Sequence, residues 1–505
     1  MPSQFIPNRF APAGRPPPGL RWLAAALLAV ALGSCGDTGE EDGLPVVVIG
    51  APDSIFEDGL RLSPGAQLVR DATASGIVAL NAEGEVVPAL GESWIVTEDG
   101  RSYIFRLRQL TWSDGEPLTA EDARASLLAT IRQLRGTSLG LDLRKIDDVR
   151  AMTARVIEIR LTGPMPEFLQ LLAQPELAIM HDGESIAPMR LEREGDLAIL
   201  RPTPPESIGL PEREPDELGK TVRLRALPGV QANEAFSQGK AAALLDGTVF
   251  TLPLADTGPL SRGTIRLDPA LGLFGMLVSN EQGFFADVEN REALSMAIDR
   301  AALAEGFSLG GWQPSTRVVP VGLPGNPVSP GERWASLSID QRRDRARQQV
   351  VDWQRRTGQA PRVRLWVPEG PGSDVLVRAL SLDLATIGVE LRRVQFPQGA
   401  DLVMIDRVAR YPSARWFLNQ FNCELLRGPC SPEADELVTQ SLRPEPGEGS
   451  ATLLAEAEGA LIAREVYIPL GAPVRWSLVR SGLEGFSENS WSRHPIYALA
   501  GVEAW

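Results

Sequence analysis

Short stretches in which hydrophobic and polar residues alternate occur along the chain, and each predicts a strand with one buried face. In the clearest of them, Tyr103, Phe105 and Leu107 share one face. The same period predicts strands in residues 157–161, 363–367 and 389–391, and an unbroken apolar run predicts a buried strand at residues 46–49. Strands are therefore expected from residue 46 to the last third of the chain.

A helix is predicted shortly after the turn signal Trp112-Ser113-Asp114-Gly115. Thr119 is placed as its N-cap, and Asp122, three residues later, approximates a capping box. Apolar residues then recur at helical spacing over residues 123–134. The pattern predicts a strand, a tight turn and a helix in immediate succession.

Two later segments also combine helical spacing with chemical signals at their ends. Residues 293–301 predict a helix face of small and apolar side chains, and Asp287 lies ahead of its N-terminus, where an acid is favourable. Residues 382–387 predict another helix, which Gly388 ends. The strand–helix–strand order over residues 363–391 predicts an α/β lobe with parallel strand pairing.

Two of these segments carry a resemblance to a known family. Residues 86–122 contain V-V-P-A-L-G-E-S-W, Y-I-F-R-L-R and W-S-D-G-E-P-L-T-A-E-D, and residues 283–300 read G-F-F-A-D-V-E-N-R-E-A-L-S-M-A-I-D-R. Both resemble motifs of the bacterial solute-binding proteins that include the oligopeptide- and dipeptide-binding proteins of ABC importers. The resemblance extends over roughly residues 45–490.

The resemblance implies an α/β fold like that of type II periplasmic binding proteins, with two lobes, a ligand cleft, a hinge and an extra inserted subdomain. Domain I would comprise residues 45–80, 181–270 and 476–505, domain II residues 81–180, and domain III residues 271–475. It implies a monomeric binding protein rather than an enzyme, without a cofactor. Its partners would be a peptide or other small-molecule ligand and the transmembrane subunits of an ABC permease.

The first residues predict export and lipid attachment. Three arginines precede an apolar run from Trp22 to Leu32, which is too short to span a bilayer as a permanent helix. Residues 1–34 are therefore predicted as a lipoprotein signal peptide, Cys35 as the palmitate-carrying residue, and residues 35–44 as a tether. The alternative is an ordinary secretory signal with an incidental cysteine. The predicted location is the periplasm, with the lipid alone holding the protein at the cell membrane.

Composition argues against several classes of function. The formal net charge of −15 disfavours nucleic-acid binding, which needs clustered Lys and Arg. Only two histidines are present, His181 and His494, so neither a nucleophile–histidine–acid triad nor a metal site is favoured. Cys423 and Cys430 are an even pair in an exported chain, which predicts one disulfide closing a short loop. Some dipeptide-binding relatives also carry a disulfide in this region.

The predicted ligand-binding residues lie in residues 401–418, which read D-L-V-M-I-D-R-V-A-R-Y-P-S-A-R-W-F-L. In the peptide-binding relatives this segment forms an extended edge in the cleft, and one of its Asp residues pairs with the α-ammonium of the ligand. Arg410 occupies the matching position here, and Arg407 occupies that of an aromatic residue. The resemblance therefore assigns ligand binding to Arg407, Val408, Ala409 and Arg410.

The arginine changes the charge that this position offers to a ligand. A guanidinium repels a free ammonium, whereas it binds carboxylate or phosphate with two parallel hydrogen bonds. We therefore hypothesise that the ligand presents an anionic group to Arg410, assisted by Arg407. The alternative is that Arg410 points to solvent or pairs with a protein acid such as Asp406.

The predicted function is that of a lipid-anchored receptor of an ABC importer, which captures peptides or a related small solute and delivers it to the permease. An anionic solute is included because of Arg410. The alternative is a lipoprotein of the same fold that does not take part in transport and acts as a sensor or scaffold.

Overall fold

The computed structural model describes residues 43–255, 264–307, 312–323, 331–444 and 449–505, and the fold begins at Leu44 and ends at Trp505. The predicted signal peptide and Cys35 lie outside the described residues. In chain order the strands are β1 (Leu44–Ile49), β2 (Val78–Leu80), β3 (Val86–Pro88), β4 (Gly91–Val96), β5 (Ser102–Leu107), β6 (Ile146–Thr153), β7 (Val156–Leu161), β8 (Met189–Glu194), β9 (Leu197–Pro202), β10 (Val222–Leu227), β11 (Ala243–Thr248), β12 (Ile265–Asp268), β13 (Gly272–Val278), β14 (Arg362–Trp366), β15 (Glu390–Val394), β16 (Leu402–Val408), β17 (Tyr467–Gly471) and β18 (Arg475–Val479).

The α-helices vary from single turns to five turns. They are Pro64–Thr73, Ala120–Gln133, Ser138–Asp142, Phe168–Leu172, Gly229–Ser237, Val288–Ala297, Arg300–Gly306, Ile339–Thr357, Pro371–Ala385, Ala414–Asn419, Pro432–Gln440, Ser450–Ile462 and Ile496–Leu499. Within the described ranges, none of the helices has the length and apolar character needed to cross a membrane.

The largest sheet has seven strands in the order β12-β18-β11-β1-β10-β9-β8. Strand β1 pairs in parallel with both β10 and β11, and β18 pairs antiparallel with β11 and β12. The sheet therefore combines the beginning, the middle and the end of the described chain. Leu44, predicted as the last residue of the tether, is instead the first residue of β1.

A four-stranded antiparallel sheet of order β4-β5-β7-β6 contains the best-predicted part of the chain. Tyr103, Phe105 and Leu107 are buried on β5, as their alternation predicts. Thr119 caps the helix Ala120–Gln133: its Oγ1 accepts a hydrogen bond from the Asp122 N–H (3.2 Å), and the Asp122 carboxylate accepts one from the Thr119 N–H (2.9 Å). The predicted capping box is therefore confirmed.

The third large sheet has five strands in the order β15-β14-β16-β13-β17. Strand β14 pairs in parallel with β15 and β16, which confirms the predicted parallel α/β lobe, and β13 pairs antiparallel with β16. The pairing of β14 with β16 includes only Leu402 and Val403. Beyond Val403, β16 therefore pairs with β13 alone among the described strands.

The predicted helix face at residues 293–301 is split between two helices. The first helix ends at Ala297, and Ile298 has extended backbone angles (φ −76°, ψ 123°). The second begins after Asp299, whose carboxylate accepts a hydrogen bond from the Ala302 N–H (3.1 Å). The Asp299 side chain thus caps the start of a second helix. The prediction of one continuous helix was wrong because this cap favours a break between the two helices. Asp287 is the N-cap residue of the first helix, but its side chain makes no capping hydrogen bond.

The predicted division into three domains stays a prediction, and each large sheet draws its strands from one of the predicted regions. The seven-stranded sheet uses all three segments assigned to domain I, the four-stranded sheet lies in domain II, and the five-stranded sheet lies in domain III. The structure also contains the disulfide between Cys423 and Cys430, which closes the loop before the helix Pro432–Gln440.

Candidate functional site

A cavity of about 360 Å³ lies beside the part of β16 that has no second strand neighbour. Its walls come from the helix Pro64–Thr73 and the residue Leu62 before it, from β11, from β16 and the residues that follow it, from β18, and from residues 491–494. Single residues at positions 80, 138 and 174 complete the lining. All four predicted ligand-binding residues, Arg407, Val408, Ala409 and Arg410, line it. The volume is at the small end of the range that ligand sites usually occupy, about 300–1,000 Å³.

The backbone at Val408 is directed away from the neighbouring strand. Ala409 donates its backbone N–H to the Leu271 carbonyl oxygen (2.7 Å), across the antiparallel partner β13. Because alternate residues of an antiparallel strand direct their N–H and C=O groups to opposite sides, those of Val408 face away from β13. The edge beside the cavity thus presents backbone groups to a ligand.

The Arg410 guanidinium is bound to a buried protein acid. Its Nη1 and Nη2 donate to the two carboxylate oxygens of Glu176 (2.8 and 2.7 Å), and Nη1 also donates to Gln174 Oε1 (2.9 Å). The Glu176 side chain is only 1% exposed. Burial opposes its ionisation, but the charge and hydrogen bonds of Arg410 prevail and hold the pKa of Glu176 below its ordinary value.

This ion pair decides between the two alternatives left open for Arg410. The side chain is held by a protein acid, and that acid is Glu176 rather than the suggested Asp406. Asp406 instead accepts a hydrogen bond from Arg475 Nη1 (2.7 Å). Glu176 belongs to the short 3-10 helix Pro175–Leu177, far from Arg410 in sequence, and a sequence pattern contains no signal of that contact.

Arg407 has a different environment. Its Nη1 donates to the neutral side chain of Gln420 (2.8 Å), and among the described residues it has no ion pair with a carboxylate. Burial is the main cause that lowers its pKa to about 10, with the positive charges of Arg427 and Arg410 adding to the effect. The guanidinium therefore brings an uncompensated positive charge to the cavity.

Two acidic side chains, Asp406 and Asp246, also line the cavity. Burial raises the pKa of Asp406 despite its pair with Arg475, and the Oδ2 atom of Asp406 is buried without a hydrogen-bond partner. Burial also raises the pKa of Asp246 to about 7; the nearby Asp406 adds to this rise, and Arg475 and His494 oppose it. The Arg475 guanidinium thus has two acids near it: it donates a hydrogen bond to Asp406, and its charge also acts on Asp246.

Asp246 was not found by sequence reasoning, although a signal for it existed. Its backbone has a left-handed φ of +63°, at an irregularity in the pairing of β11 with β18 between Leu244 and Gly247. An Asp-Gly pair inside a strand is typical of such an irregularity, because both residues tolerate this conformation. Within the described ranges, no cluster of three or more His, Cys, Asp or Glu residues is arranged to hold a metal ion.

The sequence is similar to bacterial binding proteins. Residues 85–208 match the family described as bacterial extracellular solute-binding proteins, family 5 Middle. The chain is 23% identical to the periplasmic oligopeptide-binding protein OppA of Escherichia coli strain K12, over 85% of this chain and 88% of OppA. It is 33% identical to the nickel-binding periplasmic protein of the same strain over 22% of each chain. Seven other bacterial binding proteins, that one included, are matched over only 11–59% of their own length.

Solved structures show the same fold. Haemophilus influenzae OppA in complex with RPPGFSPFR superimposes with a TM-score of 0.76 at 17% identity, over 91% of this chain and 99% of the other. The murein tripeptide binding protein MppA of Escherichia coli gives a TM-score of 0.72 at 18% identity, over 90% and 97% of the two chains. At such identities the likeness establishes the periplasmic binding protein fold, and ligand choice has to be argued from the cavity itself.

Proposed function

Since the chain belongs to family 5 of the bacterial extracellular solute-binding proteins, we propose that it is the receptor of an ABC importer. It captures peptides or a related small solute in the cavity beside β16 and delivers the solute to the permease. Closure of the lobes around the ligand would create the shape that the permease recognises. The similar proteins whose names state a ligand are binding proteins, which supports a role without bond-making chemistry.

One observation carries this proposal. The backbone groups of Val408 face a cavity of about 360 Å³ at the edge of a sheet, where no strand of the described chain pairs with them. An extended peptide can pair with such an edge as an added strand, which recognises the main chain and tolerates varied side chains. The edge coincides with the four residues that the resemblance assigns to the ligand.

Arg410 contributes to this site chiefly by shaping it. Its guanidinium is held by Glu176 and Gln174, and Gln174 Nε2 also donates to the Arg410 carbonyl oxygen (3.3 Å). These bonds fix the segment that follows β16 against the 3-10 helix Pro175–Leu177. The proposal still includes an anionic solute. Arg407 would bind it, because Arg407 is hydrogen-bonded to the neutral Gln420 whereas Arg410 is paired with Glu176.

The test is to identify what the protein carries. The full chain is purified in mild detergent from its bacterial host, denatured, and the released small molecules are identified by mass spectrometry. We expect peptides or another small polar solute in near-stoichiometric amount. A protein that carries nothing and retains nothing from a host extract would contradict the transport role and favour a sensor or scaffold.

We also propose that Cys35 is lipidated and holds the protein at the cell membrane. The support is the sequence alone, because Leu32-Gly33-Ser34-Cys35 ends an apolar run preceded by three arginines. Cys35→Ser should move the protein from the membrane fraction to the soluble periplasmic fraction, or leave the signal peptide uncut. Cys430→Ser, which changes a cysteine of the disulfide, is the matched control and should remain with the membrane. Unchanged fractionation of Cys35→Ser, with normal cleavage, would rule lipid attachment out.

A further inference from the structure

The basic side chains at the cavity fall into two groups. Those of the first group line the cavity and each has an acidic partner: Arg410 with Glu176, Arg475 with Asp406, Arg493 with Asp71, and His494 with Asp268. The second group comprises Arg61, Arg407 and Arg427, none of which forms an ion pair with a carboxylate of the described residues. We call these three residues the arginine cluster.

Two members of the arginine cluster meet at a residue of the cavity wall. Nη1 of Arg407 donates a hydrogen bond to Gln420 Oε1 (2.8 Å), and Nη1 of Arg427 donates one to the Gln420 carbonyl oxygen (3.0 Å). Gln420 itself lines the cavity. Burial lowers the pKa of both guanidinium groups, and the positive charge of Arg427 lowers the pKa of Arg407 further. The two charges are therefore close together, and both are hydrogen-bonded to a neutral residue.

Arg61 brings the third charge from a different part of the chain. It is exposed and directly precedes Leu62, which lines the cavity. After burial, the charge of Arg61 is the next cause that lowers the pKa of Arg427, so the two side chains act on each other. Arg61 precedes the helix Pro64–Thr73, whereas Arg427 lies in the loop that the disulfide closes. The fold thus gathers three positive charges at the margin of the cavity.

Such a cluster is unfavourable in the unliganded protein. Like charges repel, and burial weakens the screening of that repulsion by water and salt. The chain has 65 acidic and 50 basic residues, so acids that could have neutralised the cluster are plentiful. The pairs of Arg410 and Arg475 show that the fold neutralises other guanidinium groups at the same cavity. The arginine cluster is therefore suited to an anion supplied from outside the chain.

We propose that the arginine cluster binds the phosphoryl group of a small organic phosphate, whose remaining part lies in the cavity beside β16. A phosphoryl group carries a charge of about −1.5 to −2 at pH 7 and three acceptor oxygens, which match three guanidinium groups. A carboxylate has one charge and two oxygens, and so would leave part of the cluster unneutralised. Guanidinium groups also bind phosphate with two parallel hydrogen bonds. The inference rests on the proposed function and specifies the chemical class of its solute.

The same phosphoryl chemistry is present in a phosphate monoester and in inorganic phosphate. The cavity of about 360 Å³, which Arg407 and Gln420 line, has room for an organic group, and this favours a monoester. The experiment separates the two sources.

The first measurement is the phosphorus content of the solute that the protein carries. The full chain is purified in mild detergent from its bacterial host without phosphate buffers and is denatured, and the released solute is assayed for phosphate before and after ashing. We expect phosphate in near-stoichiometric amount that is detected only after ashing. Phosphate that is detected before ashing would identify inorganic phosphate as the solute, and the assignment of the arginine cluster would stand.

Two variants test the cluster itself. Each protein is stripped of solute by dialysis at high ionic strength, which weakens the binding of anions, and is then incubated with serial dilutions of an extract of host small molecules. For Arg61→Gln and Arg427→Gln, half-saturation with phosphorus should need about tenfold more extract than for the wild type, the effect of losing one charge-assisted hydrogen bond. Arg355→Gln is the matched control and should behave as the wild type, because Arg355 is 70% exposed on the helix Ile339–Thr357. Circular dichroism establishes that each variant is folded, and the exposed position of Arg61 makes its replacement tolerable for folding.

The outcomes distinguish this inference from the proposed function. If the carried solute contains no phosphorus, or if both variants retain phosphorus as the wild type does, the assignment of the arginine cluster is wrong and the transport role stands. If the wild type carries nothing and retains nothing from the host extract, both are wrong.

Discussion

Glu176→Gln should lower the free energy of unfolding by about 3–5 kcal/mol at pH 7, the cost of leaving a buried charge without its partner. The substitution keeps the shape of the side chain but removes the charge that Arg410 contacts with both guanidinium nitrogens (2.8 and 2.7 Å). Urea unfolding followed by tryptophan fluorescence gives the change as a lower midpoint. Glu192→Gln is the matched control, because Glu192 is 54% exposed beside Arg201, and an exposed pair contributes at most about 1 kcal/mol.

The pH dependence provides an internal check on this effect. The pKa of Glu176 is held below its ordinary value of 4.5, so its pair stabilises the fold above that pH and is lost as pH falls through the folded-state value. The difference between wild type and Glu176→Gln should therefore be constant from pH 8 to pH 6 and shrink below about pH 4. Removing both charges in Glu176→Gln with Arg410→Met should recover much of the loss. An equal loss in single and double variants would show that packing, and not charge, is responsible.

Asp246→Asn should act in the opposite direction and stabilise the unliganded protein, on the order of 2–4 kcal/mol at pH 8. Burial raises the pKa of Asp246 from 3.8 to about 7, so folding must keep an ionised carboxylate in an unfavourable place at pH 8. A group with a raised pKa contributes stability at low pH and loses it as pH rises through the folded-state value. Asparagine removes the charge and accepts the left-handed φ of this residue as readily as aspartate does.

The measurement is thermal or urea unfolding of ligand-free protein between pH 5 and pH 8. The gain in unfolding free energy from Asp246→Asn should be largest at pH 8 and decrease as pH falls. The surface control is Asp374→Asn, whose parent side chain is 72% exposed beside Arg393, and it should stay within about 1 kcal/mol of wild type throughout. A variant that is less stable than wild type at pH 8 would mean that Asp246 has a partner in the unliganded state.

Strands and helix caps could be predicted from the sequence where they depend on residues only a few positions apart. The alternation at Tyr103, Phe105 and Leu107 and the capping box of Thr119 and Asp122 involve residues a few positions apart, so both were predictable. The single helix expected at residues 293–301 was wrong because Asp299 competes as an N-cap, an effect of one side chain that apolar spacing does not reveal. Residues 407–410 line a cavity, as the family resemblance led us to expect, and their contact with a ligand stays a prediction.

The electrostatics of the candidate site could not be predicted, because its pairs join distant parts of the chain. Glu176 and Arg410 are 234 positions apart, and Asp406 and Arg475 are 69 apart. Which arginine keeps a free charge depends on where buried acids lie, and that is decided by the packing of sheets. Asp246 carried a local signal in the Asp-Gly pair, but its raised pKa is caused by burial and by the charges of Asp406 and Arg475, which lie far away in sequence.

The strand order of the seven-stranded sheet has a consequence for the order of folding. Within the described chain, β12 joins this sheet through β18, which lies between β12 and β11 and starts at Arg475. One edge of β11 therefore stays unpaired until a strand from the last part of the described chain reaches it, and an unpaired edge is open to pairing with another chain. A chain that lacks its last thirty-one residues would lose β18 and leave this edge of β11 without its cover.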